Sequence, residues 1–218
     1  MSTSELLSSL WIASKETLIM VGIAIASAVI FGTIIGLILY ITSNSLLYKN
    51  KVVNLISGAI INIIRSIPFI ILLVLLVPVT KAVVGSTIGP LAASVPLTVA
   101  SIAFFARLVD GALAEIDPGV IEASVAMGAK LKDIIFNVLL VEALPGIIRA
   151  ITVTLISVIG FSAMAGTVGG GGIGDLAVRF GYYRYQTDIM VVTVILLIVV
   201  VQLIQGIGER LAIRVTKK

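Results

Sequence analysis

The chain has 218 residues, of which 59% are apolar and only 12% charged, with a mean hydropathy of +1.22 and a formal net charge of +4. This balance excludes an ordinary soluble domain and indicates an integral membrane protein. Because the sequence contains no cysteine and no histidine, disulfides, thiolate chemistry and most transition-metal sites are excluded. It also has no phosphate-binding loop of the form GxxxxGK[ST], so we expect no ATP hydrolysis by this chain alone.

Residues 1–16 precede the first long uncharged stretch. They lack the positively charged start and the small-residue cleavage site of a secretory signal, so we expect this segment to be retained. Its apolar residues fall on one helical face, which fits either a lead-in lying in the outer membrane interface or a frayed start of the first span. These residues are Leu6, Leu7, Leu10 and Trp11.

Five stretches are long and apolar enough to cross a membrane, since about 20 residues of helix span roughly 30 Å of hydrocarbon. Arg65 is the one charge within them whose depth the sequence leaves open. We therefore predict an all-α membrane protein with a transmembrane domain over residues 17–208 and a basic tail over residues 209–218. The predicted spans are residues 17–41, 56–80, 88–110, 146–168 and 188–208.

Small residues and prolines indicate how these spans pack. In the first span a small residue recurs every four positions, which predicts a ridge that another helix can approach closely. The prolines in or beside spans two and three predict bends, either as packing kinks or as part of a pathway. The ridge comprises Ala24, Ala28, Gly32 and Gly36, and the prolines are Pro68, Pro78 and Pro96.

A polar segment between spans three and four, residues 115–145, is the longest internal stretch outside the membrane. Asp117 and Pro118 predict a helix start, and Gly128 predicts its end about three turns later. A second helical pattern begins near Leu131 and runs to Pro145. Two short helices joined at a glycine would form a projecting knob, although a solvated connection with incidental helicity fits the periodicity equally well.

A glycine-rich run follows span four and holds six glycines in nine positions, residues 166–174. Such a run disfavours helix, because each glycine costs about 1 kcal/mol relative to alanine. We interpret it as either a gate or a close-packed turn at the outer side, with Gly169, Gly170, Gly171, Gly172 and Gly174 as candidate gate residues. The tyrosines that follow it are typical of interfacial anchors.

Lysine and arginine predict the orientation, because they favour the cytoplasmic side. If the polar segment is cytoplasmic, its side carries eleven of the 15 basic residues and the other side carries four. This distribution predicts an outside N-terminus and an inside C-terminus, and it accounts for the positive charge without a nucleic-acid partner.

The acidic residues all lie at span ends or in connections, and Asp110 is expected to pair locally with Arg107. No charged side chain is expected at mid-membrane to bind both ends of a zwitterion. The spans therefore offer no proton-coupling or sodium-coupling site, and uphill transport would need energy from another polypeptide.

The polar segment resembles the cytoplasmic signature of permeases from binding-protein-dependent ABC importers, which reads Glu-Ala-Ala, three residues, Gly, nine residues, Ile-x-Leu-Pro. Here it reads Glu122-Ala123-Ser124, then Gly128, then Val138-Leu139-Leu140-Val141. Ser124 replaces the second alanine, and Val141 stands where the pattern has proline, a break that Pro145 supplies four residues later. Further segments are similar to the methionine-uptake permeases: residues 65–73 (RSIPFIILL), 121–129 (IEASVAMGA) and 142–146 (EALPG).

This resemblance implies a five-span subunit that works as a homodimer in the bacterial cytoplasmic membrane. Its implied partners are two copies of a cytoplasmic ABC ATPase, which would hold ATP and magnesium, and an extracytoplasmic solute-binding lipoprotein. The resemblance also implies methionine as substrate and a coupling helix that docks in the ATPase. The implied coupling residues are Glu122, Ala123, Ser124, Met127 and Gly128.

Other functions remain open from the sequence. A permease for another amino acid or a quaternary amine is the nearest alternative, and a passive channel or a non-transporting scaffold represents a different class. A membrane-embedded enzyme is least expected, because the spans offer no paired carboxylates for acid and base catalysis.

Overall fold

The computed structural model describes residues 3–216, which form helices joined by short connections. The first helix, α1, is continuous and consists of Thr3–Ser27, a π-helical turn at Ala28–Gly32, and Thr33–Ser43. The others are α2 (Lys51–Ser66), α3 (Phe69–Leu75), α4 (Val77–Val84), α5 (Pro90–Ala114), α6 (Pro118–Ala126), α7 (Leu131–Ile134, Ile135–Leu139 and Leu140–Glu142), α8 (Leu144–Ala165), α9 (Gly172–Leu176, continued by Ala177–Tyr182) and α10 (Thr187–Val215).

Four helical stretches among residues 3–216 are long and apolar enough to cross a membrane: Ser4–Ser43, Pro90–Ala114, Leu144–Gly170 and Thr187–Val215. The pair α2 and α3 makes a fifth when it is counted as one broken span. The predicted all-α membrane fold with five spans is therefore confirmed.

The second span departs from a straight helix, because α2 and α3 meet at an angle of 105°. The break falls at Ile67 and Pro68. Proline has no backbone N–H and restricts the preceding residue to extended conformations, and Ile67 has φ −83° and ψ 124°. Pro96 lies inside α5, which continues through it.

The first helix begins well before residue 17, so residues predicted to precede the span belong to the same helix. Its described apolar residues do not share one environment: Leu6 and Leu10 pack against Ile173 and Leu176, whereas Leu7 and Trp11 are exposed. A 40-residue helix of 1.5 Å rise per residue is about 60 Å long, roughly twice the hydrocarbon thickness. Part of α1 must therefore lie outside the hydrocarbon or cross it at a tilt.

The central helix is α5, which packs against α1, α2 and α8. The predicted small-residue ridge of α1 faces it: a Cβ atom added at Gly36 would lie 2.8 Å from the carbonyl oxygen of Ala106 and from Val109 Cβ. A Cβ atom at Gly32 would lie 2.8 Å from Phe105 Cδ1. The ridge therefore allows the backbones of α1 and α5 to approach closely.

Two clusters mark the ends of the helix bundle. At one end the tip of α1 packs with the end of α5 and with α6 and α7, through Tyr40, Leu113, Ile121 and Ile134. At the other end the start of α1 packs with α9 and the start of α10, and the Gly89 N–H donates to the Gly169 carbonyl at 2.8 Å. The polar segment and the glycine-rich run thus lie at opposite ends.

Candidate functional site

The polar segment folds into the two short helices that its sequence predicts. The side chain of Asp117 accepts a hydrogen bond from the Gly119 N–H at 2.8 Å, and Pro118 occupies the first turn of α6. Gly128 has φ +78°, its N–H donates to the Val125 carbonyl at 2.9 Å, and the Ala129 N–H donates to the Ser124 carbonyl at 3.1 Å. These bonds form a Schellman motif, which requires a residue of left-handed conformation at position 128.

We call α6 and α7 together the knob. In α6, Ile121 and Ser124 face inward, and the Ser124 hydroxyl donates to the Val120 carbonyl at 2.8 Å. The other four candidate coupling residues are exposed: Glu122, Ala123, Met127 and Gly128, with Met127 retaining 80% of its surface. The candidate coupling set is therefore divided between a buried serine and an exposed face.

The base of the knob is continuous with the core of the bundle. Ile134 and Leu139 of α7 belong to the same buried cluster as Val109 and Leu113 of α5 and Ile147 of α8. The chain break before α8 falls at Ala143, and Pro145 occupies the first turn of α8, as predicted. Because packed helices move as units, displacement of the knob would be transmitted to α5 and α8.

Sequence reasoning missed the apolar character of the knob surface. Besides Met127, the large apolar side chains exposed on the knob are Val120, Val125, Leu131, Phe136 and Val141, which retain 39–58% of their surface. Apolar exposure outside the membrane spans is typical of a docking surface. The helical periodicity contained this signal for Phe136, which lies two residues from the buried Ile134 and therefore on the other side of the helix.

The glycine-rich run is a close-packed turn. Gly169, Gly171 and Gly172 have φ values of +90°, +77° and +87°, which other residues rarely adopt. A Cβ atom at Gly166 would lie 2.5 Å from the Asp175 nitrogen, and one at Gly174 would overlap the backbone of Ala163. The glycines are therefore required by close backbone approach between α8 and α9.

Two polar residues of α1 accept hydrogen bonds from this turn, and no local pattern in the sequence indicated either. The Gly172 N–H donates to Glu16 Oε2 at 2.7 Å, and the Ile173 N–H donates to Thr17 Oγ1 at 2.9 Å. Since 156 residues separate the partners, only the tertiary structure brings them together. Tyr182, Tyr183 and Tyr185 lie beyond the turn and are all exposed.

The charged residues near the spans are only partly as predicted. The predicted ion pair between Arg107 and Asp110 is present at 2.9 Å, and Arg107 also donates to Asn62 Oδ1 at 2.8 Å. Arg65, however, lies 6.0 Å from the ring centre of Phe104, which is close to the middle of α5. The expectation that no charged side chain lies at mid-membrane stays a prediction. Among residues 3–216, no group of three acidic side chains is placed to hold a metal ion.

Comparison with known proteins agrees with this architecture. Residues 28–217 match the family model described as "Binding-protein-dependent transport system inner membrane component". The chain is 50% identical over 203 residues to a "Probable D-methionine transport system permease protein MetI" from Vibrio cholerae, covering 93% of this chain and 90% of the relative. It is 45% identical to the "Methionine import system permease protein MetP" of Bacillus subtilis, with coverages of 93% and 91%.

Among solved structures, the chain is similar to one described as "Inward facing conformations of the MetNI methionine ABC transporter". The TM-score is 0.96 at 44% identity, and the match covers 100% of both chains. The family match extends over the knob, the glycine-rich turn and four of the five spans in full. The chain therefore belongs to the family of inner membrane components of binding-protein-dependent transport systems.

Proposed function

We propose that this chain is the permease subunit of an ATP-driven importer and forms the translocation path for methionine across the bacterial cytoplasmic membrane. The observation that carries the proposal is the full-length likeness, at 44% identity, to a chain of a methionine ABC transporter. The relatives described as methionine permeases, at 50% and 45% identity, support the same substrate.

The subunit would work as a homodimer with two copies of a cytoplasmic ABC ATPase and an extracytoplasmic solute-binding lipoprotein. ATP and magnesium would be held by the ATPase, because this sequence has no phosphate-binding loop. The chain itself would carry no cofactor and no catalytic residue. Closure of the two ATPases would switch the permease between its inward-open and outward-open forms.

The knob is the proposed point of coupling. Glu122, Ala123, Met127 and Gly128 would contact the ATPase, whereas Ser124 would hold the inner face of α6 against the bundle. The exposure of Met127 and the buried base of the knob support this assignment. A rigid base is needed, because force applied to a loosely attached helix would not reach the spans.

The proposed orientation has the N-terminus outside, and the knob and the C-terminus inside. The eleven basic residues assigned to the inner side, against four on the outer side, support it. The glycine-rich turn would then lie at the outer end, where Gly169, Gly170, Gly171, Gly172 and Gly174 would form part of the outer gate. Glycine adopts left-handed and right-handed backbone conformations with little strain, which supports Gly169, Gly171 and Gly172 as positions where the backbone could change.

Reconstitution tests the function directly. The permease and its ATPase are placed in proteoliposomes with ATP enclosed and the methionine-loaded binding protein outside, and uptake of labelled methionine is measured. We expect accumulation that stops when ATP is replaced by a non-hydrolysable analogue. Uptake of a different amino acid or a quaternary amine that excess methionine does not reduce would refute the substrate. Solute flux without the ATPase would indicate a channel.

A pair of knob variants tests the coupling assignment. Met127→Asp places a charge on the most exposed residue of the candidate set, and we expect weaker ATPase association and reduced uptake. Asn137→Ala alters an exposed polar residue of α7 outside that set and serves as the control. Equal association and uptake for both variants would show that the face around Met127 does not contact the ATPase.

A further inference from the structure

A groove runs along α8, between α1 and α10. All three helices belong to stretches that are long and apolar enough to cross a membrane. Both α1 and α10 pack on α8, and the space left between them is a groove of about 320 Å³. Its apolar walls include Leu18, Val21, Ile159, Leu196, Val200 and Ile204.

The chemistry of the lining suits a hydrocarbon chain. Ser14 and Thr17 are the polar residues among those that line the groove, and the Thr17 hydroxyl oxygen already accepts a hydrogen bond from the Ile173 N–H. The walls therefore offer few hydrogen bonds to a polar solute, which would lose its contacts with water on entering. An alkyl chain has no such contacts to lose, and it gains from leaving water or loosely packed surroundings.

The length of the groove matches one leaflet of a bilayer. Leu196 and Ile204 lie eight residues apart on α10, which corresponds to about 12 Å of helix. One leaflet contributes about 15 Å of the roughly 30 Å of hydrocarbon. A single acyl chain can therefore fill the groove from end to end. A helix of a second protein chain that crosses the whole membrane would use the groove over less than half of its length.

One end of the groove carries side chains typical of a membrane interface. Ser14 is the lining residue of α1 nearest the N-terminus, and the next residue, Lys15, is exposed with its Nζ 5.0 Å from the ring centre of Trp11. Trp11, Tyr182 and Tyr183 are exposed at this end of the bundle, and such rings concentrate at the level of the lipid headgroups. Among residues 3–216 no carboxylate forms an ion pair with Lys15. Its ammonium group is therefore available to a phosphate.

We propose that this groove is a binding site for one phospholipid, with an acyl chain along α8 and the phosphate at Lys15. Leu18 retains 75% of its surface at the groove, so a chain can enter sideways from the bilayer. The flexible stem of the lysine brings its ammonium group to a headgroup at that end. The lipid contacts α1, α8 and α10 together and fills the space between them. No transported solute takes part, so the site goes beyond the proposed function.

Native mass spectrometry of the permease–ATPase complex in detergent tests the site, with phosphatidylglycerol added at increasing concentration. Val200→Trp fills the groove with an indole, and we expect the lipid affinity to fall about tenfold or more, the equivalent of losing two buried methylene groups. Val199→Trp is the matched control, because Val199 lies outside the lining and retains 49% of its surface. Equal lipid affinity for the two variants would overturn the site.

A second pair of variants tests the headgroup contact. Lys15→Gln should lower the affinity for phosphatidylglycerol about fivefold, the contribution of one cation close to an anionic lipid surface. It should leave the affinity for a diacylglycerol with the same chains unchanged, because that lipid has no phosphate. Lys81→Gln removes an exposed lysine of α4 and should change neither affinity. If Val200→Trp does not assemble with the ATPase, this pair decides, and equal phosphatidylglycerol affinity for Lys15→Gln and Lys81→Gln overturns the proposal.

Cross-linking identifies the occupant of the groove. The photoreactive residue p-benzoylphenylalanine replaces Leu18 in the same complex with phosphatidylglycerol added, and the mass of the adduct is determined after irradiation. We expect a phospholipid adduct. An adduct with a second copy of the permease or with the ATPase would show that a protein chain covers the groove, and it would overturn the lipid site.

Discussion

The contact between α8 and α9 leads to a quantitative prediction for Gly174→Ala. A Cβ atom at position 174 would overlap the Cα, Cβ and carbonyl oxygen of Ala163. Backbone atoms cannot rotate away as a flexible side chain can, so α8 and α9 must separate. Overpacking of this kind typically costs about 1–3 kcal/mol.

Gly160→Ala is the matched control, because Gly160 lies in the same helix as Ala163 with no atom within 4 Å of an added Cβ. Alanine there is expected to be neutral or stabilising by up to about 1 kcal/mol, since it reduces backbone freedom. A difference of about 2 kcal/mol between the variants corresponds to roughly 4–8 °C in the unfolding midpoint for a chain of this size. The midpoint is measured on the detergent-solubilised protein. Equal midpoints for the two variants would refute the close contact.

Three further substitutions probe single contacts. Glu16→Ala removes the acceptor of the Gly172 N–H, so we expect a loss of about 1 kcal/mol and faster hydrogen exchange at that amide; unchanged exchange would argue against the bond. A valine Cβ at position 128 would meet no atom within 4 Å, but the residue must adopt a φ of +78°, so we expect Gly128→Val to cost about 1–2 kcal/mol through backbone strain. The measurement is ATPase association, which should weaken. Asn62→Ala removes the bond to Arg107 and should lower stability by about 0.5–1 kcal/mol, an effect that an Arg107→Gln background should abolish in a double-mutant cycle.

Local chemistry explains why the knob was predictable. Asp117, Pro118 and Gly128 act on backbone groups within a few residues of themselves, so their effect on α6 does not depend on the rest of the fold. The spans were also predictable, from the lengths of their apolar stretches. A backbone in hydrocarbon must satisfy its own hydrogen bonds, and only helices and closed barrels do so. The ridge of small residues likewise predicted a close contact from spacing alone.

The break in the second span was less accessible to sequence reasoning. Pro68 predicted a bend, but its angle depends on what α3 packs against, and Phe69 packs on Phe161 from a distant part of the chain. Arg65 lies beside Phe104 of α5, which is another contact between distant parts of the chain. A hydropathy profile records the charge of Arg65 but does not show which residues its side chain contacts.

The sequence by itself determined the membrane class and the number of spans, and it predicted the capped helix of the knob, because each depends on short-range periodicity or on backbone preferences of single residues. Only the tertiary structure decided that Ser124 faces inward, that Glu16 and Thr17 accept hydrogen bonds from the turn, and that Arg65 lies beside Phe104. These features join residues far apart in the chain. Their geometry is set by how the helices pack, which no local pattern specifies.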